Sequence, residues 1–270
     1  MIGAIVYKLI ALNNDSLPEF HGQQLHGLCF KLLEGFSEQL SALIHDQMSV
    51  KPFTSSLLEF GQGTVLRQKR QYIKAGAVVY WRVTALRDEA LEAFLAVKRG
   101  QVLAIGNLQL QVEDVITDPA LSSYAGIIEP EDMVAECFSL PPVKGITLDF
   151  RSVTSFRSGI SYFPWPLPEL VFGSLADKWE AMNMPGVIAA EAVRRESAAI
   201  IPGDWHGTSR KVFLAQKRGV KGFTGNFSYE INNLDEEIRQ ALLVLAAYAE
   251  FAGVGLWTAH GLGQVRMRIR

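Results

Sequence analysis

Two kinds of hydrophobic pattern alternate along this chain, and their order is repeated in its two halves. In the first half, a β-branched run at residues 2–12 precedes apolar residues at helical spacing from Leu25 to Phe36. Two strand-like runs, at 53–60 and 75–86, are followed by an amphipathic helix at 87–97. An alternating strand at 108–116 then completes the order β-α-β-β-α-β.

The second half predicts the same order. It begins with a strand at 145–153, a helix at 168–182 and a further helical piece at 187–197. Strands at 205–216 and 221–231, a helix from 234 and a last strand at 264–269 follow. We therefore predict an α+β chain of two tandem ferredoxin-like (RRM-like) domains, each an antiparallel sheet with helices on one face. The expected boundaries are 1–120 and 143–270, with a linker at 121–142 that is rich in Pro, Ser and acidic residues.

Composition favours a folded protein, and charge says little about its partner until its distribution is considered. Apolar residues make up 49% of the 270, which is enough for a substantial core. The net charge of −2 argues weakly against a nucleic-acid partner. However, six basic residues and no acid lie between Glu59 and Asp88, and five basic residues and no acid lie between Asp204 and Glu230. Such segregation builds either a basic face or ordinary solvated strands and turns.

The same scan predicts a soluble, cytoplasmic protein without a membrane partner. Cys29 and Cys137 are the only cysteines, which gives no disulfide framework and fits a reducing compartment. The N-terminal segment lacks the features of a signal peptide, and the most apolar run is too short to cross a bilayer and contains Glu250. No two histidines have helical i, i+4 spacing, so no metal site is predicted.

Residues 253–265, "GVGLWTAHGLGQV", are unusually rich in glycine. The loop follows a helix and precedes a strand, which is the reverse of the order that a dinucleotide site requires, and it lacks the Lys-Ser or Lys-Thr of a phosphate-binding loop. No cofactor is therefore predicted. Gly253 can end the preceding helix, and the remaining glycines suit either a phosphate cradle or a tight bend.

These glycines resemble a family signature in which Gly-apolar-Gly occurs twice, five residues apart, between the last helix and the last strand. Two further stretches, "LSALIHDQMSVKPFTSSLL" at 40–58 and "LDFRSVTSFR" at 148–157, are similar to segments of one branch of that superfamily. The chain thus resembles the Cas6 family of the RAMP superfamily, the endoribonucleases that process CRISPR repeat RNA. The resemblance extends over nearly the whole chain, and the family fold is two ferredoxin-like domains.

The resemblance implies a metal-independent endoribonuclease that binds the repeats of a precursor CRISPR RNA (crRNA) and cuts each once. The ribose 2′-OH attacks the adjacent phosphate, which leaves a 5′-OH and a 2′,3′-cyclic phosphate. Histidine suits both proton transfers because its pKa lies near neutrality. The RNA is the expected partner, while a CRISPR effector complex and a homodimer occur in parts of the family and are left open.

The resemblance also implies roles for particular residues. His45 falls on the family histidine and is the expected general acid or base, and Lys51 falls on a lysine that some members use at the phosphate. The tyrosine that some members carry is here Phe30, and whether His26, one helical turn earlier, replaces it is left open. RNA binding or loop positioning is expected of Arg151, Arg157, Gly253, Gly255, His260, Gly261, Gly263 and Arg266.

Two other classes of protein compete with this interpretation. A non-catalytic RNA-binding subunit of a CRISPR effector complex could share the same fold and glycine loop, but His45 beside Lys51 favours the enzyme. A metabolic ferredoxin-like enzyme would need a small-molecule pocket, and no cofactor motif supports one.

Overall fold

The computed structural model of the protein describes residues 1–159, 161–186, 189–214 and 219–269. Within it the chain forms two compact units. The first contains Met1–Ile127 together with Ala259–Gly261, and the second contains Ile128–Thr258 and Leu262–Arg270. The predicted helix at 187–197 and strand at 205–216 each extend partly outside the described residues.

The first unit is built on an antiparallel sheet, whose strands differ in length, with helices packed against it. In chain order, the elements up to residue 128 are β1 (Ile2–Ala11), β2 (Asp15–Pro18), α1 (Gly22–Phe36), α2 (Glu38–Gln47), β3 (Phe53–Ser55), β4 (Glu59–Phe60), β5 (Thr64–Arg67), β6 (Arg70–Ile73), β7 (Val78–Ala85), α3 (Asp88–Leu95), β8 (Val102–Ile105), β9 (Leu108–Ile116) and β10 (Gly126–Ile128). The main sheet runs β3-β7-β1-β9-β8, with β4 paired to β7 and β10 paired to β1. This is the strand order of a β-α-β-β-α-β fold, extended at its edges.

The periodicity of α1 places its apolar face on this sheet. Leu25, Leu28, Cys29 and Leu33 are all buried in the core of the unit. These positions recur every three or four residues, so they form one stripe of the helix. The opposite side of α1 is exposed, and the residues at the border between the two sides are those that reach the candidate site.

A second, smaller sheet with the order β2-β6-β5 lies beside the main sheet. Its inner face is anchored by Leu17 and Ile73, which are both buried in the core of the unit. Strands β5 and β6 form a tight hairpin whose two turn residues, Gln68 and Lys69, have φ of 48° and 60°.

The second unit repeats the topology with longer strands. Its elements are α4 (Pro130–Ser139), β11 (Gly145–Thr154), β12 (Phe156–Ser158), β13 (Ser161–Phe163), α5 (Pro168–Ala181), α6 (Ala190–Ser197), β14 (Ile201–Phe213), β15 (Gly219–Glu230), α7 (Glu236–Ala252) and β16 (Val265–Ile269). The sheet order is β14-β15-β11-β16, and β12 pairs only with β13. Edge-to-face contacts of Phe150 with Phe223 and of Trp179 with Tyr248 hold its core together.

The α+β prediction of two antiparallel, ferredoxin-like halves is confirmed. The stretch 121–142, which was expected to be a linker, instead contains β10 and α4, and Pro130 occupies the first turn of that helix. Proline is favoured there because the first helical N–H groups have no partner within the helix. None of the helices among the described residues has the length and apolarity needed to cross a membrane.

Candidate active site

Phe30 of α1 is the centre of a cluster of polar side chains in the first unit. Its ring is met edge-on by the imidazoles of His26 and His45, at centroid distances of 5.0 and 5.4 Å. The ammonium of Lys51 lies 5.9 Å from the same ring, and Phe53 packs against it from β3. Two helices and the start of a strand therefore bring two histidines and a lysine to one place.

A third imidazole joins this cluster from the glycine-rich loop. The rings of His26 and His260 are stacked with centroids 3.8 Å apart and planes 18° apart. The backbone carbonyl of His260 lies so close to Gly22 that a Cβ on that glycine would be 1.8 Å from its oxygen. The start of α1 therefore has to be glycine for this loop to pack there.

The neighbours of His26 determine which of its ring nitrogens can accept a proton. Its Nδ1 lies 3.2 Å from the backbone oxygen of Ala259, which can only accept a hydrogen bond. Nδ1 therefore carries the proton, and Nε2 is left as the basic nitrogen of the neutral ring.

Burial keeps the stacked pair neutral. It lowers the pKa of His26, with further lowering by the charges of Lys51 and His45. It lowers the pKa of His260 more strongly, to about 4, and His26 and Lys51 add to the effect. Nδ1 of His260 is buried without a hydrogen-bond partner among the residues that the structure describes. Such an atom is destabilising until a ligand or water satisfies it.

His45 differs from this pair because it lies on the surface. Its side chain is 70% exposed near the C-terminal end of α2. Nδ1 is 2.7 Å from Oδ1 of Asp46, so the carboxylate accepts a hydrogen bond from the Nδ1–H group. Nε2 is left to exchange a proton with solvent or a ligand. The histidine that the sequence predicted is thus accessible, as an acid or base requires.

Lys51 does not point freely towards a ligand. Its Nζ donates to the backbone oxygens of Ile44, His45 and Met48, at 2.8, 3.0 and 2.8 Å. These are carbonyls at the end of α2, so the ammonium caps that helix and interacts favourably with its dipole. Burial lowers the pKa of Lys51. A direct contact with phosphate would require one of these three hydrogen bonds to open.

In the second unit, close packing accounts for the glycines of the loop. Gly253, Gly255, Gly261 and Gly263 all have left-handed backbone conformations, with φ of 62°, 74°, 88° and 69°. A Cβ at Gly255 would lie 2.4 Å from the oxygen of Ser155, and one at Gly263 would lie 2.2 Å from that of Val254. The tight-bend interpretation therefore explains these glycines without a ligand, while Gly261 belongs to the first unit and packs against Leu57.

The end of β11 runs beside this loop and positions Arg151. The Arg151 N–H donates to the oxygen of Gln264 at 2.8 Å, and the Gly263 N–H donates to that of Val153 at 3.1 Å. The Arg151 guanidinium donates to Asp149, 3.1 Å away. Arg157 is exposed on the β12–β13 hairpin.

Arg266 is held by an acid of α7. Its Nη1 lies 3.0 Å from Oε2 of Glu250, and both side chains are half-buried. The predicted RNA-binding residues therefore divide between the units. Arg151, Gly255 and Gly263 lie in the second unit, where each packs against a neighbouring segment of β11 or of the loop, whereas His260 stacks on His26 in the first. No described contact joins Arg157 to either group.

One buried residue at the loop was not predicted. Lys178 of α5 is almost wholly buried, and its Nζ donates to the oxygens of Ala252 and Gly253, 3.1 and 2.8 Å away. Burial lowers its pKa to about 7. A lone lysine on an amphipathic helix has no feature in the sequence that distinguishes this role from a solvent-exposed one.

Two sequence models of one family match the two halves of the chain. The model described as "CRISPR-associated endoribonuclease Cas6" matches residues 148–265, and that described as "CRISPR Cas6 N-terminal domain" matches residues 1–128. A Mycobacterium tuberculosis protein described as CRISPR-associated endoribonuclease Cas6 is 24% identical over 196 residues, which cover 70% of this chain and 58% of that protein. Across the described residues, no group of three or more His, Cys, Asp or Glu side chains is arranged to hold a metal.

Solved structures agree with this match. A Cas6 product complex is 26% identical, with a TM-score of 0.81 and coverage of 99% of this chain and 100% of that one. Thermus thermophilus Cas6 is 25% identical, with a TM-score of 0.73 and coverage of 99% and 98%.

Proposed function

Because the chain belongs to the Cas6 family, we propose that it binds CRISPR repeat RNA and cleaves a precursor crRNA within each repeat. The observation that carries this proposal is the convergence of His26, His45 and His260 with Lys51 around Phe30. The proposal needs no cofactor and assigns the protein to the cytoplasm with its RNA, while a CRISPR effector complex and a homodimer stay open as further partners.

The proposed reaction is attack of a ribose 2′-OH on the adjacent phosphorus. The 2′-oxygen forms a bond to phosphorus and loses its proton to a base, while the bond to the 5′-oxygen breaks and that oxygen gains a proton from an acid. The products are a 2′,3′-cyclic phosphate and a 5′-OH, and no metal ion takes part.

We assign the two proton transfers from the environments of the histidines. His26 is neutral near pH 7 and has Nε2 as its basic nitrogen, which suits a general base. His45 is exposed and its Nδ1 is bonded to the Asp46 carboxylate, so its Nε2 faces solvent and can reach a leaving oxygen, which suits a general acid. Lys51 supplies positive charge near the reacting phosphate and holds the helix end that carries His45.

The test is incubation of candidate repeat RNAs in chelator, with both new ends mapped. We expect one cut per repeat, a cyclic phosphate end, and no cut when hydrogen replaces the 2′-OH at the junction. His26→Ala and His45→Ala should each reduce the single-turnover rate by about 10²- to 10⁴-fold. His206→Ala, at an exposed strand position of the second unit, is the matched control.

Three results would contradict the proposal in different ways. Cleavage of the deoxy RNA would refute the chemistry. Loss of cleavage in chelator, restored by a divalent metal, would refute metal independence. If the parent binds the repeat and never cuts it, the chain is instead a non-catalytic RNA-binding subunit of an effector complex.

A further inference from the structure

Part of the acid-free basic segment between Glu59 and Asp88 forms two strands of the small sheet, β5 and β6. In the register of this sheet, Tyr72 of β6 lies directly opposite Ser16 of β2 and Val65 of β5. Paired residues of an antiparallel sheet share a face. Tyr72 and Val65 are 45% and 47% exposed, so this face looks outward.

Cations surround Tyr72 on this outward face. Arg67 and Arg70 lie directly opposite each other at the end of the hairpin, and both are exposed. Lys74 follows directly after the end of β6 and is also exposed. Lys69 occupies the turn.

The hairpin tip carries these cations against its own stability. Like charges directly opposite each other in a sheet are destabilising. The turn takes left-handed φ at Gln68 and Lys69, where Asn-Gly is the favoured pair. Residues that destabilise their own secondary structure are expected where a surface serves a function. An anionic partner would offset the repulsion between Arg67 and Arg70.

The composition of this outward face fits a single strand of RNA. A tyrosine ring offers a stacking surface for any base, and basic side chains on both sides of it meet the phosphates. Arg70 and Tyr72 are two residues apart on β6, which separates them by about 6.8 Å along the strand. This is about twice the 3.4 Å spacing of phosphates along one stacked strand.

Hydrogen bonds connect this face to the start of the helix that bears His26. Arg70 donates to the backbone oxygen of Ser16 at 2.7 Å, which ties β6 to β2. His21 is buried, its Nδ1 lies 3.1 Å from the oxygen of Pro18, and its Nε2 accepts the Leu58 N–H at 2.9 Å. His26 follows five residues later, about 7.5 Å along the helix axis.

We propose that the outward face of β2-β6-β5, centred on Tyr72, binds single-stranded RNA that flanks the cleaved junction. This inference rests on the proposed function for the identity of the RNA. It adds a second contact surface in the first unit, which is distinct from the cluster around Phe30 and is joined to the start of α1 by the hydrogen bonds of His21.

The experiment measures binding and cutting separately. Repeat RNA with a 2′-deoxy junction is prepared without flanks, with a 5′ single strand and with a 3′ single strand, and its Kd is measured by fluorescence anisotropy. The chains compared are the parent, Tyr72→Ser, Tyr72→Phe and Arg67→Ser/Lys69→Ser. Lys98→Ser/Arg99→Ser removes the same charge from an exposed turn of the same unit and serves as the control.

For one flanked RNA we expect Tyr72→Ser to raise Kd by about 5- to 150-fold, the range for one lost base stack. Tyr72→Phe should restore binding. The Arg67→Ser/Lys69→Ser pair should reduce the slope of log K against log salt by about 1.4, or 0.7 for each phosphate contact. The unflanked RNA should bind all variants equally, and the single-turnover rate of the cleavable RNA at saturation should not change.

Unchanged Kd for both flanked RNAs, or equal losses on the unflanked RNA, would overturn this inference. So would a slower saturated rate in Tyr72→Ser, because that would indicate a role in folding or catalysis. If the parent binds and cuts normally while these variants show no effect, only this inference fails. If the flank effect is present but nothing is cut, only the catalytic proposal fails.

Discussion

Acidification should weaken the packing of His260 against α1. The pKa of His260 is about 4 in the folded protein, against 6.5 for an ordinary histidine. Between these two values the unfolded chain binds a proton that the folded chain excludes. The free energy of unfolding therefore falls as the pH is lowered through this window, and it is at its full value above pH 6.5.

The size of the effect follows from these two pKa values. Linkage gives a loss of about 2 kcal/mol between pH 7 and pH 5 from His260 alone. Solvent at the exposed edge of the half-buried ring reduces this figure. His26 and His21, whose pKa values are also lowered by burial, add to the loss in the same direction.

The contribution of His260 is isolated by comparing the parent with His260→Gln. Urea unfolding is followed by tryptophan fluorescence at pH 7, 6 and 5, because Trp81 is fully buried in the first unit. We expect the stability difference between parent and variant to change by about 1–2 kcal/mol, in favour of the variant, on going from pH 7 to 5. His206→Gln, at an exposed strand position, should follow the parent throughout. A parent-to-variant difference that stays constant with pH would refute the reasoning.

Three further predictions concern the helix ends and the glycine loop. Lys51→Met should destabilise the first unit by about 1–3 kcal/mol, because the end of α2 loses its cap. It should also raise the pKa of His26, because the charge of Lys51 lowers it in the parent. NMR titration measures this pKa, and an unchanged value would contradict the assigned charge effect. In urea unfolding, Gly263→Ala should lower the free energy of unfolding clearly more than Gly76→Ala. Both glycines have left-handed φ, but only at Gly263 would the new Cβ lie 2.2 Å from a backbone oxygen. Equal losses would show that the loop adapts. The pKa of Lys178 is about 7 in the folded protein and 10.5 in the unfolded chain, so the free energy of unfolding of the parent's second unit should rise by about 3 kcal/mol between pH 7 and 10. Lys178→Met should abolish this rise, and a parent that does not show it would refute the prediction.

The long elements of the fold were predictable because each carries its own periodicity. The buried face of α1 could be identified from the spacing of Leu25, Leu28, Cys29 and Leu33 alone, before it was known what the helix packs against. The small sheet was missed because its strands are four residues long, and its pairing of Ser16 with Tyr72 joins positions far apart in the sequence. Short strands of this kind are defined by their partners and not by a local pattern.

The site was predictable only where its residues lie close together in the chain. His45 and Lys51 fall within one short segment, so their proximity follows from the sequence, although the capping role of Lys51 does not. The stacking of His26 on His260 joins residues from opposite ends of the chain. No periodicity connects them, and only the folded backbone shows that Gly22 leaves room for the loop.

The inclusion of Ala259–Gly261 in the first unit has a consequence for biosynthesis. A ribosome adds His260, which completes the stacked pair, long after it has added His26. An emerging polypeptide that has released only residues 1–127 therefore lacks part of the proposed reaction centre. If that centre works as proposed, such an incomplete chain is kept from premature activity until residues 259–261 have been added.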